Sequence, residues 1–281
     1  MNLISNMFKN NNSNKKTSFI TYLICGDPNT NVTNKLLHIM VETGVDLIEL
    51  GIPFTDPIAD GPIIQKGIER ALKNNTTLEN TLTVVKNFRK KNTSTPIVLM
   101  GYMNPIEKMG YQKFASKANK SGVDGVLIVD LPVEESHTIN KIFKTNSLTQ
   151  IFLASPTTDN DRLKKIVKHS DGYVYYVSIK GITGTSIKNI SSIKNKVKKI
   201  RQVSKKKVPV AVGFGIKNKS SAKKISLFSD GIIIGSSIVE LIEKYIHNKN
   251  LMYKKIKTFL LGINKVLVAK WVGWIKFYQL V

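Results

Sequence analysis

The sequence predicts an α/β protein built as a single closed (β/α)8 barrel, the TIM-barrel architecture, with extra helical segments at both ends. Three observations carry that prediction. Eight short apolar runs recur along the 281 residues, segments of helical period separate them, and no linker or composition break divides the chain. Near-continuous apolar strands alternating with amphipathic helices indicate a parallel sheet covered by helices. Eight repeats in a chain of this length favour closure over an open doubly wound sheet.

The elements follow in order. Met1 to Lys16 is rich in Asn and Lys and lacks the uninterrupted apolar run of a secretory signal. The apolar runs are Phe19–Ile24, Leu47–Leu50, Ile97–Met100, Val126–Val129, Ile151–Ala154, Val174–Val177, Val208–Val212 and Gly231–Gly235. After the first run, Val32, Leu36, Ile39 and Met40 fall at helical spacing, and Leu163, Ile166 and Val167 repeat the pattern among lysines. Two segments interrupt the rhythm. Gly51–Gly67 carries three prolines and reads as a long βα loop; Lys180–Ser192, with Gly181, Gly184 and several Ser and Thr, reads as a flap. In a barrel both lie at the carboxyl ends of the strands, where active sites are built. Helix resumes near Ser236 and Ser237, and a basic, aromatic tail ends the chain with Trp271, Trp274 and Phe277. The expected layout is one domain over 1–281, with the barrel at about 17–248 and a C-terminal helix and tail at about 249–281.

Composition narrows the function classes. With 43 Lys and Arg against 19 Asp and Glu the net charge is +24, and a 42% hydrophobic share is enough for a packed core. The single cysteine, Cys25, cannot form an internal disulfide, and no His or Cys cluster has zinc spacing. The apolar stretch Phe259–Val281 is broken by Asn264, Lys265, Lys270 and Lys276, which argues against a membrane span. From Gly172 to Val281 there are 22 basic and three acidic residues, a field that attracts anions. The lysines fall between apolar helix positions rather than among aromatic residues that could stack on bases, so neither nucleic acid nor a membrane surface is the expected partner.

The chemistry concentrates in Leu47-Ile-Glu-Leu-Gly-Ile-Pro-Phe-Thr-Asp-Pro-Ile-Ala-Asp-Gly61. Glu49 stands in an otherwise apolar strand, where alternation can aim it into the barrel mouth. Burial there would raise its pKa and suit it to give and take a proton near neutrality. Asp60 lies in the following loop, and two carboxyls in different environments can divide acid–base labour. The alternatives are an ion pair of Glu49 with a lysine inside the barrel, and a turn-forming role for Asp56 or Asp60. Glycines at Gly181-Ile-Thr-Gly-Thr185, Gly213-Phe-Gly215 and Gly235-Ser-Ser237 follow the sixth, seventh and eighth strands, where barrels often hold phosphate. Tyr22, Met100, Leu127, Tyr175 and Phe214 at strand ends would line a flat apolar slot. These residues together imply acid–base chemistry on an aromatic or apolar phosphate ester.

The run from Glu49 to Pro62 resembles the signature of the tryptophan synthase α-subunit family. Cys25-Gly-Asp-Pro28, Met100-Gly-Tyr-Met-Asn-Pro105, Val129-Asp-Leu-Pro-Val-Glu-Glu-Ser136, Ser155-Pro-Thr157, Gly213-Phe-Gly-Ile216 and Gly235-Ser236 fall in the expected order, over about Phe19 to Glu243. The resemblance implies retro-aldol cleavage of indole-3-glycerol phosphate to indole and glyceraldehyde 3-phosphate. It implies Glu49 as the proton shuttle and Asp60 as the carboxylate on the indole N–H. It also implies an indole pocket of Tyr22, Ile64, Met100, Leu127, Tyr175 and Phe214. Phosphate would lie on the backbone around Gly184, Gly215, Gly235 and Ser236, with Thr183 closing the flap and helping to place Asp60.

The implied partner is a β subunit in an αββα heterotetramer, with pyridoxal phosphate in that subunit and no cofactor in this chain. Pro53–Asp60 and the Asn104-Pro105 region would meet it. The implied compartment is the cytoplasm, or a plastid stroma if an organelle genome encodes the chain. Three departures from the family pattern stand out: Ile179 where some members have arginine, Tyr22 where some have phenylalanine, and the tail beyond about Val268. The tail is expected to extend the last helix or dock on the barrel, with a surface-binding segment as the alternative. Competing readings are another phosphate-binding barrel enzyme, a purely regulatory partner of the β subunit, and a cationic nucleic-acid binder.

Overall fold

A computed structural model describes residues 2–178, 190–205, 207–213 and 215–268. Its eight strands are β1 (Ser18–Ile24), β2 (Leu47–Gly51), β3 (Ile97–Gly101), β4 (Gly125–Ile128), β5 (Thr149–Ala154), β6 (Val174–Val177), β7 (Val210–Gly213) and β8 (Gly231–Ile234). Each pairs in parallel with the next, and β8 pairs with β1 to close the barrel. The largest offsets from the expected runs are two residues, at β5, which starts at Thr149 rather than Ile151, and at β7, which starts at Val210 rather than Val208. Pro209 has no N–H to give a ladder and acts only as an acceptor, taking the Val174 N–H at 2.9 Å.

Strand alternation sorts the core into two shells. Ile20, Leu47, Val98, Leu127, Ile151, Tyr173, Tyr175, Ala211 and Ile233 pack inside the barrel. Their neighbours Phe19, Ile48, Leu99, Val126, Phe152, Val174, Val212 and Ile232 face the helices. Buried on both sides, the strands read as unbroken apolar runs.

The described helices are α1 (Leu3–Ser13), α2 (Thr30–Glu42), α3 (Pro62–Lys73), α4 (Leu78–Arg89), α5 (Met103–Met109), α6 (Tyr111–Ser121), α7 (His137–Thr145), α8 (Asn160–His169), α9 (Ile190–Val203), α10 (Lys219–Ser226), α11 (Ser236–Lys244) and α12 (Lys249–Val268). Local chemistry starts several of them. Asn2, Asn29, Asp159 and Asn218 each accept a backbone N–H three residues on, and Thr77 with Asn80 forms a reciprocal capping box on α4. Pro62 opens α3, a position where a missing N–H costs nothing, so the loop after β2 ends sooner than Gly67.

Two terminal helices complete the barrel. The expected N-terminal helical segment, α1, closes the floor, where Ile4 and Phe8 join the inner shell and the Phe8 ring lies 5.5 Å from that of Tyr173. On the outside, α12 buries Met252, Ile256, Leu260, Ile263 and Leu267 along one stripe. The tail beyond Val268 lies outside the described residues. Among the described residues no helix is long and apolar enough to cross a membrane.

A repeated device fixes strand entrances at the floor. Asp46, Asp124 and Asp230, each just before an even-numbered strand, accept the N–H of Phe19, Ile97 and Val210 at 2.8, 2.7 and 2.8 Å. Lys16, Arg89 and Arg201 pair with the same three carboxylates. These acids satisfy backbone donors that the ladder leaves open, which marks them as stability groups at the end away from the chemistry.

Candidate active site

Glu49 is the third residue of β2, on the inward parity with Leu47, and is paired in register with Tyr22 of β1 and Val98 of β3. Its side chain is fully buried. The Tyr173 hydroxyl donates to Oε1 at 2.5 Å, while Oε2 has no partner among the described residues. Burial raises the carboxyl to about 8, against the Tyr173 hydrogen bond, which lowers it. Near neutral pH the group is therefore largely protonated, with one oxygen held and the other free for proton transfer. The alternative of an ion pair with a lysine is not what the structure shows; a phenol is the partner.

Asp60 sits on the loop between β2 and α3, and that loop is tied down at three points. The Tyr102 hydroxyl donates to Asp60 Oδ2 at 2.7 Å and accepts the Ala59 N–H at 3.1 Å, and Gln65 Nε2 donates to the Asp60 carbonyl at 2.9 Å. Burial raises the Asp60 carboxyl and the Tyr102 bond lowers it. Asp56 is exposed; its carboxylate accepts from the Thr55 hydroxyl and its carbonyl from the Ile58 N–H, which fits the turn-forming reading.

The two carboxyl groups act on the same two phenols. The phenols of Tyr22 and Tyr175 are raised well above their ordinary value by burial first, and then by the nearby charges of both Asp60 and Glu49. Tyr22 and Ile64 belong to one buried cluster, Leu127 and Tyr175 to another, and Met100 packs against both. Five of the six expected pocket residues therefore come together. Phe214 lies outside the described residues, as do Ile179, Thr183 and Gly184.

Two of the strand-end glycines have a specific steric role. A Cβ on Gly51 would lie 2.4 Å from the Tyr22 hydroxyl oxygen, and one on Gly213 would lie 2.3 Å from that of Tyr175. Both rings fit only because these two positions carry no side chain. Gly235 N-caps α11 without a side-chain cap, which leaves the first turn starting at Ser236 as an anion-accepting end, and Gly215 is exposed with φ +78°.

Tyr173 and Tyr102 are the site residues that sequence reasoning missed. Tyr173 stands two residues before Tyr175 and shares its face; Tyr102 lies inside the Met100–Pro105 run. Replacing Tyr102 with Phe is expected to lower turnover about tenfold or more, the cost of one hydrogen bond to a charged group. Steady-state turnover checks it, and an unchanged rate would remove Tyr102 from the positioning of Asp60.

A hollow of about 580 Å³ lies at the opposite end of the barrel, beside α1, but its acids Asp171 and Asp230 are taken up by Lys144 and Arg201. Among the described residues no group of His, Cys, Asp and Glu gathers as a metal site.

A closed parallel barrel with a desolvated glutamic acid on β2 and a tethered aspartate in the loop after it has the fold of a barrel enzyme and the groups for acid–base chemistry. Residues 8–267 match the family model described as tryptophan synthase alpha chain. The chain belongs to that family. It is 45% identical over 245 residues to the tryptophan synthase alpha chain of Marinobacter nauticus, covering 87% of this chain and 90% of that one. It is 47% identical over 232 residues to that of Hydrogenovibrio crunogenus, covering 83% and 85%. The crystal structure of the alpha subunit from Legionella pneumophila str. Paris superposes with a TM-score of 0.88 at 36% identity, covering 95% and 98%. A chain of the tryptophan synthase a2b2 complex from Pyrococcus furiosus superposes with a TM-score of 0.81 at 36% identity, covering 88% and 98%.

Proposed function

We propose that Glu49 and Asp60 divide the acid–base work of the α reaction of tryptophan synthase. That reaction, a lyase step of tryptophan biosynthesis, cleaves indole-3-glycerol phosphate to indole and glyceraldehyde 3-phosphate. Protonated Glu49 gives its proton to indole C3, and the ring becomes cationic. Asp60 accepts the indole N–H and stabilises that charge. Glu49, now a carboxylate, takes the proton of the side-chain hydroxyl beside the ring. The carbon–carbon bond then breaks, its electron pair restores the aromatic ring, and the oxygen becomes the aldehyde. One group gives and regains one proton, so no other acid is needed.

The observation that carries the assignment is the buried Glu49, held at one oxygen by Tyr173 and open at the other. Tyr22, Ile64, Met100, Leu127, Tyr175 and Phe214 hold the indole in this reading. Gly184, Gly215, Gly235 and Ser236 hold the phosphate, and Thr183 acts from the flap.

The partner is the β subunit, in line with the a2b2 assembly of the Pyrococcus furiosus relative. The αββα arrangement, pyridoxal phosphate confined to that partner, and a cytoplasmic or plastid-stromal location complete the proposal. So does the layout of one domain over 1–281. Indole release from indole-3-glycerol phosphate, measured with and without an added β subunit, tests it. Release that rises with the partner supports both chemistry and assembly; no release from folded protein in either condition overturns the reading.

The Glu49 ionisation predicts a pH dependence. The reaction starts from the protonated form, so kcat/KM is expected to fall as pH rises through about 8. Stability carries the same sign: a carboxyl raised in the folded state costs nothing below its ordinary value of 4.5, costs more as pH rises, and costs most above about 8. A rate profile flat to about pH 10 would contradict the assignment.

A further inference from the structure

The described part of the proposed phosphate subsite offers backbone N–H groups and the hydroxyl of Ser236, with no charged side chain in the first turn of α11. A phosphate monoester approaches a double negative charge near neutrality, and a helix N-terminus supplies only about half a positive charge.

Lys217 stands beside this turn. The Ser237 hydroxyl meets the Lys217 carbonyl at 3.5 Å, and the Lys217 N–H donates to Ser221 Oγ at 3.2 Å, so its backbone is pinned between α10 and α11. Asn218 is the N-cap of α10, so Lys217 and Lys219 flank the positive end of that helix, and no acid in its first turn offsets them. Cations are disfavoured there. Packing accounts for Lys219: its Cε lies 2.4 Å from where a Cβ on Gly262 would sit, so its stem runs along α12. Lys217 is instead exposed, next to Ser237. An anion held at α11 resolves the unfavourable charge placement at α10.

We infer that Lys217 is the cationic arm of the phosphate subsite, selecting phosphorylated over unphosphorylated ligands by charge. The inference rests on the proposed cleavage of a phosphate ester. Lys217 acts on binding alone, since its charge meets the phosphate equally before and during bond cleavage.

The test compares Lys217→Gln, Lys217→Glu and Lys217→Arg in the full chain with Lys224→Glu, a charge change two turns along α10. Two readouts are needed: KM and kcat for indole-3-glycerol phosphate, and calorimetric affinity for glycerol 3-phosphate. Lys217→Gln is expected to weaken both KM and affinity about three- to tenfold, and Lys217→Glu more, with kcat within about twofold. Lys217→Arg should restore binding, Lys224→Glu should leave it unchanged, and the loss should shrink as salt screens the charge. Equal effects of Lys217→Glu and Lys224→Glu overturn the inference. Wild-type protein that binds glycerol 3-phosphate but cleaves nothing overturns the cleavage reading, while the affinities of the variants still decide Lys217. Wild-type protein that neither binds nor cleaves overturns both.

Discussion

Replacing Glu49 with Gln is expected to lower indole release by roughly 10²- to 10⁴-fold, the range a positioned general acid–base group contributes. The amide is nearly isosteric with the carboxyl and can still accept from Tyr173, but it cannot pass a proton to carbon and take one from oxygen. The substitution also removes the cost of ionising a fully buried acid. The variant should therefore unfold at a temperature equal to or above that of the wild type, with the larger gain at alkaline pH. Thermal unfolding at about pH 5 and about pH 8.5, beside the rate measurement, separates lost chemistry from lost fold. Normal turnover by folded Glu49→Gln protein would sink the mechanism.

The second large effect is on stability. Asp27, in the loop after β1, is 0% exposed, and Arg70 of α3 grips it with two hydrogen bonds, Nε to Oδ1 at 2.8 Å and Nη2 to Oδ2 at 2.9 Å. Burial raises the Asp27 carboxyl even while Arg70 lowers it. Arg70→Met keeps the packing and strands a buried carboxyl, so a loss of about 3–5 kcal/mol is expected in denaturant unfolding at neutral pH. Without Arg70 the Asp27 pKa rises further. Its ionisation cost is full at neutral pH and lessens as pH falls toward the ordinary value of 3.8, so the deficit should shrink in acid. Asp27→Asn combined with Arg70→Met should recover part of the loss, because no unpaired charge is then buried. A deficit under about 1 kcal/mol, as for an exposed pair, would contradict this account.

How much could be read in advance depended on the range of the interaction. The strands were legible because burial on both faces writes itself into consecutive apolar residues; β7 started late where Pro209 withholds a donor, and β5 started early because its first two residues, Thr149 and Gln150, are polar. Glu49 was legible as the lone ionisable group of such a run, and Asp60 through its loop. Tyr173 and Tyr102 were not. An aromatic residue in or beside a strand looks like core, and nothing local reveals that its hydroxyl serves a carboxylate 124 or 42 positions away. The glycines showed a third case. Their positions were plain, but the reason for Gly51 and Gly213 depends on rings contributed by neighbouring strands. The N-terminal helix was expected, and its place under the barrel became clear only with the closed topology.

That helix joins the barrel floor to its chemistry. Phe8 rests against the Tyr173 ring, and the hydroxyl of Tyr173 holds Glu49, so a column of three side chains runs from the first helix to the buried carboxyl. The insulation that keeps Glu49 dry is therefore supplied partly from below, by a segment that sequence order places before the first strand. Trimming or crowding the amino end of this protein is not a neutral choice of boundary. Removing α1 is expected to open the Tyr173 ring, and through it the buried Glu49, to water.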